Sequence, residues 1–174
     1  MIYVILILLK QKVAYMPAKT IEEILKDTKI YQILRPKLVT ALPDTSLKEV
    51  LDLMHRERSG YIVLADRHLK VVGLFTEREV LMKVLCKGVS LDEPVKNYMN
   101  TSPPTLSKTN TVGEALKAMF EHSVRHIPLV DELGQMNGVL SIRTIVTFLA
   151  ELFPTEVFNL PPKPDQIHET AEGG

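Results

Sequence analysis

The chain has 174 residues, of which 45% are hydrophobic and 24% charged, and its 21 Lys and Arg balance 21 Asp and Glu. That length buries a real core without disulfide or metal staples, and that composition excludes a disordered or collagen-like chain. Zero net charge excludes the general positive excess with which nucleic-acid binders grip phosphates, and the absence of Trp leaves little platform for stacking bases.

The first element is an apolar run, Ile2 to Leu9, followed by Lys10-Gln11-Lys12. It falls far short of the about 20 residues that span a membrane, and a secretory signal carries its positive charge ahead of the apolar stretch rather than behind it. Residues 1–19 are therefore read as a poorly ordered extension, with Met16 as an alternative start; a short edge strand or partner-binding strand is the other reading. No membrane attachment is expected. Thr20-Ile21-Glu22-Glu23 then forms a capping box. Ile24, Leu25, Ile30, Tyr31, Ile33 and Leu34 predict one or two amphipathic turns in residues 20–35 that dock on the body, and Pro36 ends them.

From there the chain repeats itself. Shifted by 65 residues, Thr40 meets Thr105, Glu49 meets Glu114, Leu51 meets Leu116 and Met54 meets Met119. Without a gap, Ile62 then meets Ile127, Leu64 meets Leu129, Asp66 meets Asp131, Gly73 meets Gly138 and Arg78 meets Arg143. A register held through a helix, two strands and a turn marks two copies of one supersecondary unit. Each copy predicts a short strand (Leu38–Leu42; Pro104–Leu106) and a helix opened by a capping box at Ser46 or Thr111. Two short apolar strands follow (Tyr61–Ala65 and Val71–Phe75; Ile127–Val130 and Met136–Leu140), then a second helix starting at Thr76 or Ser141. One copy of about 50 residues buries too little apolar surface to stand alone, so the two are expected to pack sheet to sheet. The copies are placed at residues 36–89 and 90–153, ahead of a proline-rich tail, 154–174, whose Val157–Leu160 stretch can anchor on the surface. Cys86 is placed in an apolar helix, where a thiol packs; as the single cysteine it fits a reducing compartment, hence a cytoplasmic setting.

The pattern resembles a tandem pair of CBS domains, a Bateman module, over about Pro36 to Phe153. The residues that carry the resemblance are Val95-Lys96-Asn97-Tyr98-Met99, Arg125-His126-Ile127-Pro128-Leu129-Val130-Asp131, Gly73-Leu74-Phe75-Thr76-Glu77-Arg78-Glu79 and Gly138-Val139-Leu140-Ser141-Ile142-Arg143-Thr144. It implies an α/β (α+β) fold of two strand-helix-strand-strand-helix units related by a pseudo-two-fold. It also implies an adenosine ligand (AMP, ADP, ATP, S-adenosylmethionine or NAD) in the cleft between them, and a homodimer formed through helical faces.

Several residues stand where such chemistry would sit. Thr76 is a hydroxyl at a strand-to-helix junction, where free N–H groups suit a phosphate, and Glu79 is a carboxylate one turn on. In the family this pair of positions holds a Ser or Thr and an acid, typically Asp, that receives the ribose hydroxyls. Thr76-x-x-Glu79 is equally an ordinary capping box, and both readings stand. Ser141 and Thr144 occupy the matching places without the carboxylate, so the two pockets are expected to be unequal. Arg78 and Arg143 lie in the first turns of their helices, where positive charge is mildly unfavourable and hints at an anion. Arg125 suits phosphate through its fork of donors, and His126 can contact a phosphate or sugar or simply pack. Pro128 implies a locally unpaired strand edge. In the family, backbone groups of the strand Ile127–Val130 help line the adenine pocket; Tyr61 and Ile62, at the matching strand of the first copy, and Thr40 and Thr105 complete the candidates. His122 and His126, four apart, straddle the end of a helix and do not form a metal pair. The charges from Lys48 to Glu57 read as a solvated face.

No catalytic motif is present: there is no nucleophile elbow, phosphate-binding Walker loop or zinc-binding His pair. The expected function is a non-enzymatic sensing module that binds an adenosyl ligand and signals to an effector protein not identified by the sequence. The alternative is a ligand-free structural or adaptor module that dimerises. No other cofactor and no metal is expected.

Overall fold

The computed structural model describes residues 20–35 and 37–153. The N-terminal extension, the stop at Pro36 and the tail after Phe153 lie outside the described residues. The elements are α1 (Ile21–Asp27), α2 (Ile30–Ile33), β1 (Thr40–Ala41), α3 (Leu47–Arg56), β2 (Tyr61–Ala65), β3 (Val71–Thr76), α4 (Glu77–Glu79), α5 (Val112–Glu121), β4 (His126–Val130), β5 (Met136–Ser141) and α6 (Ile142–Leu152). A wider, π-type winding over Val80–Val84 extends α4, and a 3-10 turn forms at Val95–Asn97. No helix among the described residues is long and apolar enough to cross a membrane.

The two copies fold alike because the same local chemistry recurs. Ser46 and Thr111 each accept a hydrogen bond from the N–H of the Glu three residues on, starting α3 and α5. In the β2–β3 turn, Asp66 Oδ1 accepts from the N–H groups of His68 and Lys70 at 2.8 and 2.9 Å; in the β4–β5 turn, Asp131 does the same for Leu133 and Gln135 at 2.9 and 2.8 Å. The left-handed residue of the second turn is Gly134 (φ 74°), but the first turn forces Leu69 into that conformation (φ 62°). Both hairpins shift register at the matching step, between Leu64 and Ala65 and between Leu129 and Val130.

The copies differ at the first strand. β1 pairs parallel with β2, and Val63 N–H donates to the Val39 carbonyl at 3.0 Å. The position matching Val63 is Pro128, which has no N–H to give. The strand expected at Pro104–Leu106 is accordingly reduced to one bridge, Leu106 to Leu129. A second expectation fails at Cys86. The helix winding stops at Val84, Leu85 is extended, and Cys86 is an exposed residue with φ 56° rather than a packed helical thiol.

Strand alternation divides the buried residues. Ile62 and Leu64 pack with α3 residues Leu47, Val50 and Met54 and with Phe75 in the first core. Ile127, Leu129 and Leu140 pack with Val112, Ala115, Met119 and Ile145 in the second. The opposite faces, Tyr61, Val63, Ala65 and Leu74 against Met136 and Val139, form a third cluster that joins the copies. Two contacts there connect residues to their own repeat equivalents: the Tyr61 and His126 rings lie 4.6 Å apart, and Lys70 bridges Gln135. Only residues beside a two-fold axis touch their own equivalents, so the pseudo-two-fold runs between these strands.

The segments leading into each copy are exchanged. Ile30, ahead of the first copy, is wholly buried in the second core, with Leu25, Ile33 and Leu34 packed beside it. Its N–H donates to the Asn110 carbonyl at 2.9 Å, and Val112 N–H donates to the Thr28 carbonyl at 2.9 Å. Reciprocally, Val95, ahead of the first strand position of the second copy, is wholly buried in the first core; its N–H donates to the Thr45 carbonyl and Leu47 N–H to the Glu93 carbonyl, both at 2.9 Å. Ile30 and Val95 are themselves 65 residues apart, so the repeat extends upstream of the segment in which residue identities display it.

Candidate functional site

A cleft of about 870 Å³ opens between the copies. One wall is Thr76, Glu77, Arg78 and Glu79 with Leu81, Met82 and Lys83; the other is His122, Ser123, Val124, Arg125 and His126. Gly60, Leu74, Met99, Asn100 and Thr101 complete the lining. The strands set this arrangement. Thr76 ends β3 and His126 begins β4, and the Tyr61–His126 ring contact holds those strand ends together on the pseudo-axis. Gly73 lets the 99–101 stretch lie against β3, where Asn100 and Leu74 exchange backbone hydrogen bonds of 2.8 and 2.9 Å. A Cβ at Gly73 would sit 2.2 Å from Met99 Sδ.

Thr76 and Glu79 do form a capping pair. The Glu79 carboxylate accepts from the Thr76 N–H at 3.0 Å and from its hydroxyl, and Thr76 Oγ1 accepts from Arg78 N–H at 3.2 Å. All the named bonds to the carboxylate fall on one oxygen, Oε2. The Arg78 guanidinium reaches across the cleft and donates to the Ser123 carbonyl at 3.0 Å, which its left-handed backbone (φ 51°) accompanies. Lys83 Nζ donates to the Met99 carbonyl at 3.0 Å. Arg125 is exposed; its carbonyl accepts from Ile142 N–H at 2.9 Å, while its guanidinium makes no hydrogen bond or ion pair with the described residues. Burial, with Arg125 adding repulsion, pushes the His126 imidazole down to about 4, so it is neutral at pH 7. Burial pushes the Tyr61 phenol up, and its hydroxyl donates to the Lys37 carbonyl at 3.0 Å.

Of the residues singled out in the sequence, the cleft brings together Thr76, Arg78, Glu79, Arg125 and His126. Ser141 and Thr144 lie elsewhere, capping α6, with Ser141 Oγ accepting from Thr144 N–H at 3.2 Å and the hydroxyls 3.0 Å apart. Arg143 lines a separate groove of about 400 Å³ on α6 with Ile142, Val146, Thr147, Ala150 and Glu151. Ile62 is sealed in the first core, which leaves only its backbone for any ligand contact. Tyr61 is buried beneath His126, Pro128 is buried in β4, Thr40 is exposed on β1, and Thr105 is exposed just ahead of the Leu106 bridge. The sequence reading missed Gly60, Asn100, Thr101, Ser123 and Lys83 as lining residues. The run Val95–Met99 pointed toward the 99–101 stretch, but Ser123 acts through a carbonyl that no side-chain pattern encodes.

The CBS domain matches this chain twice, over residues 30–85 and 95–151. Among curated proteins, an uncharacterised 17.7 kDa protein of Acidianus ambivalens is 28% identical over 125 residues, covering 72% of this chain and 75% of that one. An inosine-5'-monophosphate dehydrogenase of Aquifex aeolicus is 28% identical over 134 residues, which are 74% of this chain but only 25% of the enzyme. Among solved structures, a CBS domain protein of Pyrobaculum aerophilum complexed with AMP superposes with a TM-score of 0.64 at 27% identity, over 72% of this chain and 98% of that one. With both repeats matched, the strand-helix-strand-strand-helix unit present twice and the two related by a pseudo-two-fold, the chain belongs to the CBS-domain family as a tandem pair.

Proposed function

We propose that the chain is a regulatory sensing module that binds an adenosine nucleotide, or a related adenosyl compound, in the cleft between its repeats and signals to an effector protein. The observation that carries this reading is the cleft itself: about 870 Å³, enough for a nucleotide, with Arg78 and Arg125 on opposite walls and the Thr76 hydroxyl and Glu79 carboxylate between α4 and β3. The Pyrobaculum aerophilum relative complexed with AMP supports the same ligand class. In this reading the two arginines hold phosphate and the unengaged oxygen of Glu79 receives ribose hydroxyls. A ligand that bridges the walls favours one angle between the repeats and thereby changes the surface offered to a partner. Leu81 (62% exposed), Val146 (47%) and Leu152 (40%) supply apolar helical faces for a homodimer, which light scattering at micromolar concentration tests. The proposed setting is cytoplasmic and the role is not catalytic.

Calorimetry with AMP, ADP, ATP and S-adenosylmethionine tests the binding. Glu79→Gln retains the capping geometry and removes the charge, so affinity should fall about tenfold or more. Thr144→Asp, which supplies the missing acid in the second repeat, should strengthen or create a second site. The adaptor reading has one specific support: Glu79 is already occupied as a cap by Thr76. It prevails if no adenosine compound binds at millimolar concentration, or if Glu79→Gln leaves affinity untouched.

A further inference from the structure

The cleft holds an uneven set of charges. Arg78, Lys83 and Arg125 face it as fixed cations, against Glu77 and Glu79, and two imidazoles, His122 and His126, share the wall with Arg125. Two of the cations are held by backbone carbonyls rather than by carboxylates: Arg78 by Ser123 and Lys83 by Met99. Glu79 is turned toward Thr76. His126 sits where these groups converge. It starts β4 beside Arg125, meets Tyr61 of β2 ring to ring, and pairs with the uncharged Ser141 of β5. Glu77, Arg78, Glu79 and Lys83 face the same cleft from α4 and its continuation, and His122 from the end of α5. Burial and Arg125 together keep this imidazole unprotonated at neutral pH.

We propose that the cleft is a proton-linked anion site, in which a phosphate-class dianion held between Arg78 and Arg125 is taken up together with a proton on His126. The inference rests on the cleft being the ligand site, and it adds how that site is regulated. The reasoning is one of reciprocity. An anion beside Arg125 cancels the repulsion that opposes a charged His126 and offers the imidazolium an acceptor; whatever makes His126 easier to protonate must make the anion bind more tightly as protons become available. The module would then respond to acidification and ligand concentration jointly.

The test uses the full chain with sulfate, a phosphate-class probe whose own charge does not change across the range. If saturating sulfate raises His126 from about 4 by about two units, sulfate affinity should rise on the order of tenfold between pH 7 and pH 5. The His126 ring resonance, followed by NMR, should titrate at least one unit higher with sulfate than without. His126→Gln should flatten the pH dependence, while His122→Gln should leave it. A His126 titration that sulfate does not move overturns the proposal, and so does a pH dependence carried by His122, or sulfate that does not bind. AMP in parallel separates the two readings. If AMP fails to bind while sulfate shows the linkage, the adenosine reading fails and the proton linkage stands. If AMP binds with no proton uptake in buffers of different ionisation enthalpy while sulfate leaves His126 unmoved, the adenosine reading stands and the linkage fails.

Discussion

Replacing Ile30 by Ala tests the exchanged leaders most directly. Ile30 precedes the first repeat in the chain, yet its side chain is fully buried among Val112, Ala115, Met119 and Ile145 of the second. Truncating a buried Ile to Ala costs about 2–5 kcal/mol, the lost transfer energy plus the cavity left behind. The site is bracketed by backbone hydrogen bonds from Ile30 to Asn110, Tyr31 to Lys108 and Val112 to Thr28, so it has little freedom to collapse, and we expect about 3 kcal/mol. Against a typical total of about 5–15 kcal/mol, that is a large fraction. Urea denaturation measures the loss, and amide hydrogen exchange locates it. Exchange should accelerate in α5, β4 and β5, which belong to the second repeat. Val95→Ala should cost about 2 kcal/mol and accelerate exchange in α3, β2 and β3. A loss below about 1 kcal/mol for Ile30→Ala, or faster exchange confined to α3 and β2, would refute the packing assignment.

Three further outcomes are expected. The unfolded chain binds a proton at His126 near its ordinary pKa of 6.5 and the folded chain only near 4, so this group's contribution to stability is complete above pH 6.5 and is lost as pH falls through that window. By pH 5 the loss is about 2 kcal/mol, and denaturation curves for His126→Tyr, the residue at the matching position, should lack that component; parallel pH profiles would contradict it. The amide oxygen of Asn137 is buried with no hydrogen-bond partner among the described residues, where the first repeat has Val72. Asn137→Val should therefore stabilise by about 1 kcal/mol, read from the urea midpoint. Leu69→Gly relieves the left-handed turn residue that the other copy already fills with glycine and should raise stability by up to about 1 kcal/mol; a lower melting temperature would show that the Leu69 side chain contributes more than its backbone costs.

The parts of the fold that local chemistry dictates were legible in the sequence. Capping residues, the short apolar strands and the turn between them all appear as patterns at fixed spacing, and a register of 65 residues tied them into a repeat. What was not legible depends on partners distant in sequence. Ile30-Tyr31-Gln32-Ile33-Leu34 and Val95-Lys96-Asn97-Tyr98-Met99 share only an apolar first, fourth and fifth position, too little to extend the repeat by identity, although the two segments make equivalent hydrogen bonds. Pro128 signalled an unpaired strand edge, but its consequence, a first strand shortened to one bridge, follows from a carbonyl at position 104 that the sequence does not place. In the site, the Thr76–Glu79 pair read correctly as a cap because capping is local. The Arg78–Ser123 link across the cleft did not emerge, since it joins a side chain to a main-chain oxygen 45 residues away.

The exchange of leaders means that the covalent unit and the packing unit are out of phase. A cut placed between the repeats would not yield two half-size proteins, because each product would carry the keystone of the other's interior and lack its own. The connection between repeats is therefore more than a tether: the two halves are interlocked, and neither can be traded for a homologous half without bringing its neighbour's anchor along. The geometry is that of two like chains exchanging arms, written into a single polypeptide. In such a body, a change in the angle between halves pulls on both interiors at once.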